Sequence, residues 1–485
     1  MAASTPLPLH DSRDRWPLWL FCLLAAPLLV NRLGPEFLDA DTLLSSLMST
    51  QKVTLFYWGQ ERLANVLPFM LAPVTDLARN QWLQMTANAA AYLLLLEALT
   101  HVACQLDDAP PPRLYRHVLF ALLVALPFLF LRPFALYQFT VAAQPYSLSF
   151  LCLTWAALAW RRRVEQPLFW VACGPALVVA VGLNPAVLLL VVALVAWQHR
   201  AGKGRGWIGF FVLTLSIFVV WTFLSVTYPL RSPASFMTFA PQGVPAALRA
   251  SAGEIAHEAL RLRVVALGGI AVTVAWPQLG LQQRRATLSA IALGFVWSLF
   301  FLTNLWVQRN SAAFRYFMPL IFAPVVCTAL ALAHLCFQRR TVWRARVALL
   351  ACTLVFAGFC VRPWTPLASY HLFQPARTPL ATAQRHQIRY FAGDYWTVWP
   401  VIFQLRLQGH DALGAFSRGI AMQAEIMAAL HKDQIVQPRT LAQCINKPLP
   451  TCQEQLEKVT RTSWRLADVP PEGESIFLTP ATPPL

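Results

Sequence analysis

Two aspartates, Asp39 and Asp41, stand together just after the first apolar run of the chain, in GPEFLDADTLLSSLMSTQKVTLFYWGQERL (34–63), with Lys52, Glu61 and Arg62 close behind. A positioned carboxylate can take a proton from a hydroxyl nucleophile, and a nearby cation can meet an anionic leaving group. A local role competes with that chemistry. Asp41 precedes TLLSSLM, whose apolar residues have helical spacing, and is expected to cap that helix by accepting hydrogen bonds from the free amides of its first turn. A cap fixes the orientation of a carboxylate, so capping does not exclude catalysis. Residues 51–73, QKVTLFYWGQERLANVLPFMLAP, then bring an aromatic cluster (Phe56, Tyr57, Trp58) and a polar triplet (Gln60, Glu61, Arg62). Spacing alone favours an interfacial amphipathic helix with an aromatic belt there.

The elements that must position these residues are membrane helices. The chain has 485 residues, is 57% hydrophobic and only 13% charged, where a soluble protein carries about 25%. Apolar runs of about 16 to 25 residues recur, long enough to cross a hydrocarbon core roughly 30 Å thick. The first, WPLWLFCLLAAPLLV (16–30), follows arginines as a signal peptide would. No clean small-x-small cleavage pattern follows it, so a retained first helix is expected. The net charge of +17 is bunched in short loops: Arg13 and Arg15; Arg113 and Arg116; Arg161 to Arg163; Arg200, Lys203 and Arg205; Arg284 and Arg285; Arg339, Arg340, Arg344 and Arg346. Every second loop is basic, the positive-inside pattern. Base-stacking aromatics are not interleaved with these clusters, which argues against nucleic acid as a partner.

Placing the basic loops in the cytoplasm gives about eleven transmembrane helices. They lie at about 16–30, 81–105, 118–136, 146–160, two short helices within 167–197, then 207–227, 264–279, 287–303, 315–337 and 346–361. Gly182, Asn184 and Pro185 break the 167–197 stretch in its middle. The expected architecture is an α-helical polytopic membrane domain over 1–361, with a large first external loop at 31–82, followed by a small external α/β domain over 362–485. The N-terminus is then cytoplasmic and the C-terminal domain periplasmic or external. No internal repeat of the transporter kind is visible. Most cysteines fall in apolar runs, but Cys444 and Cys452, in CINKPLPTC, occupy polar sequence in the segment assigned to the oxidising side. A disulfide between them is expected.

His257 and Glu258, in EIAHEALRLR, could form an acid–base or metal pair, but they read more simply as the solvated face of an external amphipathic helix. No HxxxH or CxxC spacing points to a structural metal. Asp394, in AGDYW, reads as a turn residue that could also contact substrate.

An acidic pair after the first transmembrane helix, followed about 20 residues later by FYWGQ and an amphipathic segment, resembles the first external loop of the GT-C superfamily. These are polytopic glycosyltransferases that use lipid-phosphate-linked sugars, including bacterial protein O-mannosyltransferase-like and aminoarabinose-transferase-like members. GLNPAVLL at a broken helix, AAFRYFMPLIFAP opening a late helix and GDYWTVWPVIF after the last one agree with it in order. The chain has ERLAN after WGQ, where many relatives carry Gly-Gly and an acidic residue. The resemblance implies transfer of a sugar from a polyprenyl-phosphate donor to an acceptor on the outer face of the inner membrane. Asp41 is then the general base, with Asp39 second. Arg315, at the start of RYFMPL, would meet the lipid phosphate, with Arg62 and Lys52 as weaker candidates; a snorkelling anchor is its bland alternative. Tyr316 and Trp58 would line the sugar or lipid groove, with Gln60 and Glu61 nearby. Members of the superfamily differ in their need for a divalent cation, so one at Asp39 and Asp41 stays open.

Two other functions fit the helix count. A transporter or flippase of lipid-linked sugars would need ionisable groups at mid-membrane, and the clear mid-run acid is at most Glu97. A non-catalytic GT-C-like membrane partner would differ from the enzyme only in tolerating loss of Asp39 and Asp41.

Overall fold

The apolar runs are largely helical in the computed structural model, which describes residues 15–57, 60–105, 112–142, 146–162, 169–200, 204–227, 238–310, 312–337, 342–367, 376–415, 436, 440–473 and 475–481. In chain order the first elements are α1 (Trp16–Phe37), α2 (Ala40–Gln51), β1 (Phe56–Tyr57), β2 (Gln60–Ala64), α3 (Val66–Leu71), α4 (Leu77–Cys104), α5 (Arg113–Phe130) and α6 (Pro133–Thr140). Then follow α7 (Tyr146–Arg162), α8 (Phe169–Leu183), α9 (Val187–Arg200), α10 (Gly204–Thr227), α11 (Val244–Glu254), α12 (Leu262–Ala275), α13 (Leu281–Thr303), α14 (Leu305–Arg309), α15 (Met318–Phe337) and α16 (Val342–Cys360). The C-terminal part contains α17 (Arg377–Arg385), β3 (Tyr390–Gly393), α18 (Tyr395–Leu407), β4 (Leu413–Gly414), β5 (Ala442–Ile445), α19 (Leu449–Thr460), β6 (Trp464–Leu466) and β7 (Ser475–Pro480).

Among the described residues, seven helices are long and apolar enough to cross a membrane: Trp16–Phe37, Leu77–Cys104, Arg113–Phe130, Gly206–Leu224, Gln283–Thr303, Phe314–Phe337 and Val342–Cys360. Val171–Leu183, Val187–His199 and Leu262–Gln278 are apolar but shorter. Leu267, Ile270 and Val274 on α12, Leu288, Phe295 and Leu299 on α13, and Val347, Leu350 and Leu354 on α16 are all exposed. Their spacing of three, four and seven residues puts each trio on one helix face, an apolar stripe suited to hydrocarbon and not to water. The chain is an integral membrane protein.

Local chemistry sets several breaks. The run expected as one helix over 118–136 ends at Phe130 and restarts at Pro133, because a proline disfavours helical geometry in the residue before it. The 167–197 stretch divides as expected: α8 ends at Leu183, and the side chain of Asn184 accepts the amide of Ala186 at 3.2 Å before α9 begins. Residues 56–64, expected within an amphipathic helix, form an antiparallel hairpin with Phe56 opposite Ala64 and Tyr57 opposite Gln60. Aromatic residues favour the pleated state. The buried Asn65 side chain then locks the hairpin base by donating to the carbonyls of Thr54 and Phe56 at 2.9 and 2.8 Å.

By contact the chain divides into two compact units, one drawn from Met1–Arg32, Ala89–Thr140 and Phe236–Pro363, the other from Leu33–Asn88, Val141–Ser235 and Trp364–Leu485. In the first unit α15 is central and packs on α5, α12, α13 and α16. Phe322 of α15 meets Tyr92 and Phe139 edge-on, with centroids 6.1 and 5.4 Å apart. Gly294 of α13 allows close approach there, since a Cβ would lie 2.9 Å from the Leu320 Cα. The same unit holds a buried ion pair. Arg15 grips Glu97 with two hydrogen bonds, Nε to Oε1 at 2.8 Å and a terminal nitrogen to Oε2 at 2.6 Å, and the Trp19 indole donates to Oε2 at 3.0 Å.

In the second unit α7 packs on α8, α10 on α8 and α9, α8 on the hairpin, and α2 on both α3 and α18. The C-terminal α/β part belongs to this unit. Its sheet has the order β4-β3-β5-β7-β6. β3 is parallel to both β4 and β5, while β7 is antiparallel to β5 and β6. All four residues of β3 and of β5 are buried, as expected of parallel strands covered by helices. Cys444 in β5 is disulfide-bonded to Cys452 in α19.

Candidate functional site

Asp39 is the residue that caps α2. Its backbone is extended (φ −108°, ψ 168°) and its carboxylate accepts the amide of Thr42 at 2.9 Å. This corrects the expectation that Asp41 is the cap. Asp41 lies inside the first turn, where its side chain cannot fold back onto the orphan amides in the N-cap manner. Instead it is buried, and the phenol of Tyr395 donates to its Oδ1 at 2.6 Å.

Helix α2 is an unusually polar element to find buried, and each serine on it has a partner. Ser45 donates to Gln84, Ser46 donates to Gln81 at 2.7 Å, and Ser49 receives the Asn80 amide at 2.8 Å and donates to the Pro68 carbonyl at 2.9 Å. Serines 45 and 49 and residues 80 and 84 are each one helical turn apart, so α2 is laced to the start of α4 along one face. The lacing satisfies groups that would otherwise be costly to bury and fixes the helix that carries Asp41.

Tyr395 is placed by a tight strand-to-helix turn. Gly393 ends β3 with φ +127°, and a Cβ there would lie 2.1 Å from the Ile445 carbonyl oxygen, so only glycine fits. Its amide donates to the Gln455 side chain of α19 at 2.9 Å, and the amide of Asp394 donates to the Ile445 carbonyl at 2.9 Å. Asp394 is the N-cap residue of α18 and accepts the Thr397 hydroxyl at 3.1 Å. Tyr395 is therefore the first residue of a helix anchored on both sides, its ring edge-on to Trp396 at 5.2 Å. The Tyr395 contact was not foreseen from sequence, where GDYW stood out only as part of a resemblance.

Arg315 lies in a 3-10 turn, Phe314–Phe317, directly before α15. It is half-buried, with its guanidinium 5.5 Å from the Tyr316 ring centroid. Glu254 holds this turn by accepting the amide of Phe314 at 3.1 Å. Tyr316 is buried, stacks on Phe301 at 6.0 Å, and its carbonyl accepts the Trp297 indole at 2.8 Å. Lys52 is exposed at the C-terminal end of α2. Trp58 lies outside the described residues, as do the side chains of Gln60, Glu61 and Arg62. His257 and Glu258 are exposed on a π-helical turn, Ile255–Ala259. Among the described residues there is no cluster of three or more His, Cys, Asp or Glu able to hold a metal ion.

The sequence matches no protein-family model and no curated protein. The structure is similar to that of ArnT from Cupriavidus metallidurans bound to undecaprenyl phosphate, with TM-score 0.51 at 13% identity, over 96% of this chain and 97% of that one. The apo state of the same protein aligns with TM-score 0.49 at 13% identity, over 96% of this chain and 98% of ArnT. The fold is thus ArnT-like along nearly the whole chain.

Proposed function

We propose that this protein is a membrane glycosyltransferase that moves a sugar from a polyprenyl-phosphate-linked donor to a hydroxyl acceptor, with Asp41 as the general base. The observation that carries this reading is the state of Asp41: a buried carboxylate, relieved of capping by Asp39 and held by a phenol. The ArnT-like fold, seen in ArnT with undecaprenyl phosphate bound, supports a lipid-phosphate donor.

The reaction forms a bond between the acceptor oxygen and the anomeric carbon and breaks the bond from that carbon to the phosphate oxygen. The acceptor proton passes to Asp41, and polyprenyl phosphate leaves with the electron pair. Such a base contributes about 10²- to 10⁴-fold. Arg315 is the cation assigned to the departing phosphate, whose planar guanidinium suits paired oxygens. Chemistry on the outer face of the inner membrane, with the C-terminal α/β part periplasmic, follows from the alternation of basic loops. The divalent cation left open by the sequence has no assigned role here.

Glu97 offers little to the transporter reading, since Arg15 and Trp19 engage it in a buried staple. The test is turnover by the purified protein on a panel of undecaprenyl-phosphate-linked sugars, read as release of undecaprenyl phosphate, together with binding of undecaprenyl phosphate itself. Turnover in the wild type, and its loss in Asp41→Asn with binding retained, is the expected result. Binding and turnover unaffected in Asp41→Asn would remove the base from the mechanism.

A further inference from the structure

We infer that Tyr395 is a positioning residue for Asp41, so that the C-terminal α/β part takes a direct share in organising the active site; this rests on Asp41 being the base. The two residues are 354 positions apart in sequence, yet the phenol and the carboxylate Oδ1 are 2.6 Å apart and both side chains are buried. That length lies at the short end of the range for an O–H···O hydrogen bond.

Each partner is held independently. On one side the Asp39 cap and the Ser45, Ser46 and Ser49 contacts to α4 fix α2. On the other, Gly393 and Gln455 fix the start of α18, where a Cβ at residue 393 would collide with the Ile445 carbonyl. A short hydrogen bond between two packed, separately anchored elements leaves the carboxylate little rotational freedom. Tyr395 keeps its own proton throughout: it orients Asp41 and does not enter the transfer. A base misplaced by about 1 Å loses on the order of 10²-fold in rate, so loss of this bond is expected to fall on turnover and not on donor binding.

The experiment compares wild type, Tyr395→Phe, Asp41→Asn and the double variant, in detergent-solubilised full-length protein. Single-turnover rates with an undecaprenyl-phosphate-linked sugar are measured beside the Kd for undecaprenyl phosphate. Tyr395→Phe keeps the ring and removes only the hydroxyl. It is expected to slow turnover by about 10- to 100-fold with Kd changed less than about twofold. In the Asp41→Asn background the same change is expected to cost nothing further, because a residue that acts only through the base has nothing left to orient. An equal loss in both backgrounds, a parallel loss of binding, or a Tyr395→Phe rate within twofold of wild type while Asp41→Asn is inactive would overturn the inference and leave the base in place. Full turnover in Asp41→Asn would instead overturn the reading on which it rests.

Discussion

The carboxylate of Asp39 accepts the backbone amide of Thr42 at 2.9 Å and closes the first turn of α2 from outside it. Two residues on, Asp41 has no such duty and meets Tyr395. Adjacent acids of the same type thus hold separate positions, one at the helix boundary and one inside it. Their substitutions are expected to separate accordingly.

Asp41→Asn should reduce turnover by about 10²- to 10⁴-fold with little change in melting temperature, because the amide still accepts a hydrogen bond but takes no proton. Asp39→Ala should do the reverse, lowering stability by about 1 kcal/mol through loss of the cap and slowing turnover only as far as α2 loosens. Thermal unfolding and turnover on the same preparations check both. Equal turnover losses with no stability change in Asp39→Ala would make Asp39 a second catalytic acid.

Arg315→Lys keeps a positive charge but loses the planar fork and the flat face over Tyr316. Weaker binding of undecaprenyl phosphate is expected, by about 1–2 kcal/mol or roughly 5- to 30-fold in Kd, within the range for a charge-assisted hydrogen bond. Titration of undecaprenyl phosphate into the purified variant measures it. Wild-type affinity would return Arg315 to the role of an anchor at the start of α15.

Much of the membrane part was legible because hydrocarbon leaves a strong signature. The apolar runs are largely helical, though the 118–136 run is broken before Pro133, and the Gly182–Asn184–Pro185 break divides α8 from α9. A small C-terminal α/β part was readable from the change in composition, and the Cys444–Cys452 pair from its place in polar sequence, but the strands themselves were not located. What could not be read was decided at finer scale or longer range. Asp39 and Asp41 both satisfy the capping rule, and only the backbone at Asp39 shows which residue lies outside the helix. Residues 56–64 carry too few positions to separate a period of two from one of 3.6, and the hairpin is secured by the side chain of Asn65, just beyond it, reaching back to the carbonyls of Thr54 and Phe56. The Tyr395 contact to Asp41 joins segments 354 residues apart, which no local periodicity reports.

Glu97→Ala should be the most destabilising single change considered, since it strands the buried Arg15 guanidinium. Breaking one half of a buried pair costs about 3–5 kcal/mol. Replacing both with Leu removes the charge and the need for a partner together, and should recover most of that loss. Denaturation of the two variants in detergent checks this. A Glu97→Ala variant as stable as wild type would mean the pair is not formed in the membrane.

Acid should loosen the C-terminal sheet through Glu472. Its carboxylate accepts His386 at 2.8 Å, Thr382 at 3.0 Å and Arg385 at 2.9 Å, joining α17 to the turn before β7. The hydrogen bond from His386, with those from Thr382 and the charge of Arg385, holds this acid below the usual carboxylate range. A depressed carboxylate stabilises the fold above its unfolded-state value and loses that contribution as pH falls through the folded one. Stability should therefore decline on acidification below the ordinary carboxylate range. Glu472→Gln should show a shallower decline there, checked by thermal melts across acidic pH. Identical slopes in the two proteins would place the acid sensitivity elsewhere.

The Cys444–Cys452 disulfide closes a short loop between β5 and α19, and α19 carries Gln455, the acceptor for the Gly393 amide. Closing a loop of this length stabilises by about 2–3 kcal/mol through the unfolded chain. In unreduced protein, a thiol reagent should leave both positions unlabelled under denaturing conditions, and label both after reduction. Cys444→Ser with Cys452→Ser should lower the melting temperature. It should also slow turnover, because the turn that presents Tyr395 is braced by the helix the disulfide secures. Labelling of both cysteines without reductant would show that the bond does not form in the native protein. A variant equal to wild type in melting temperature and turnover would show that α19 holds Gly393 without it.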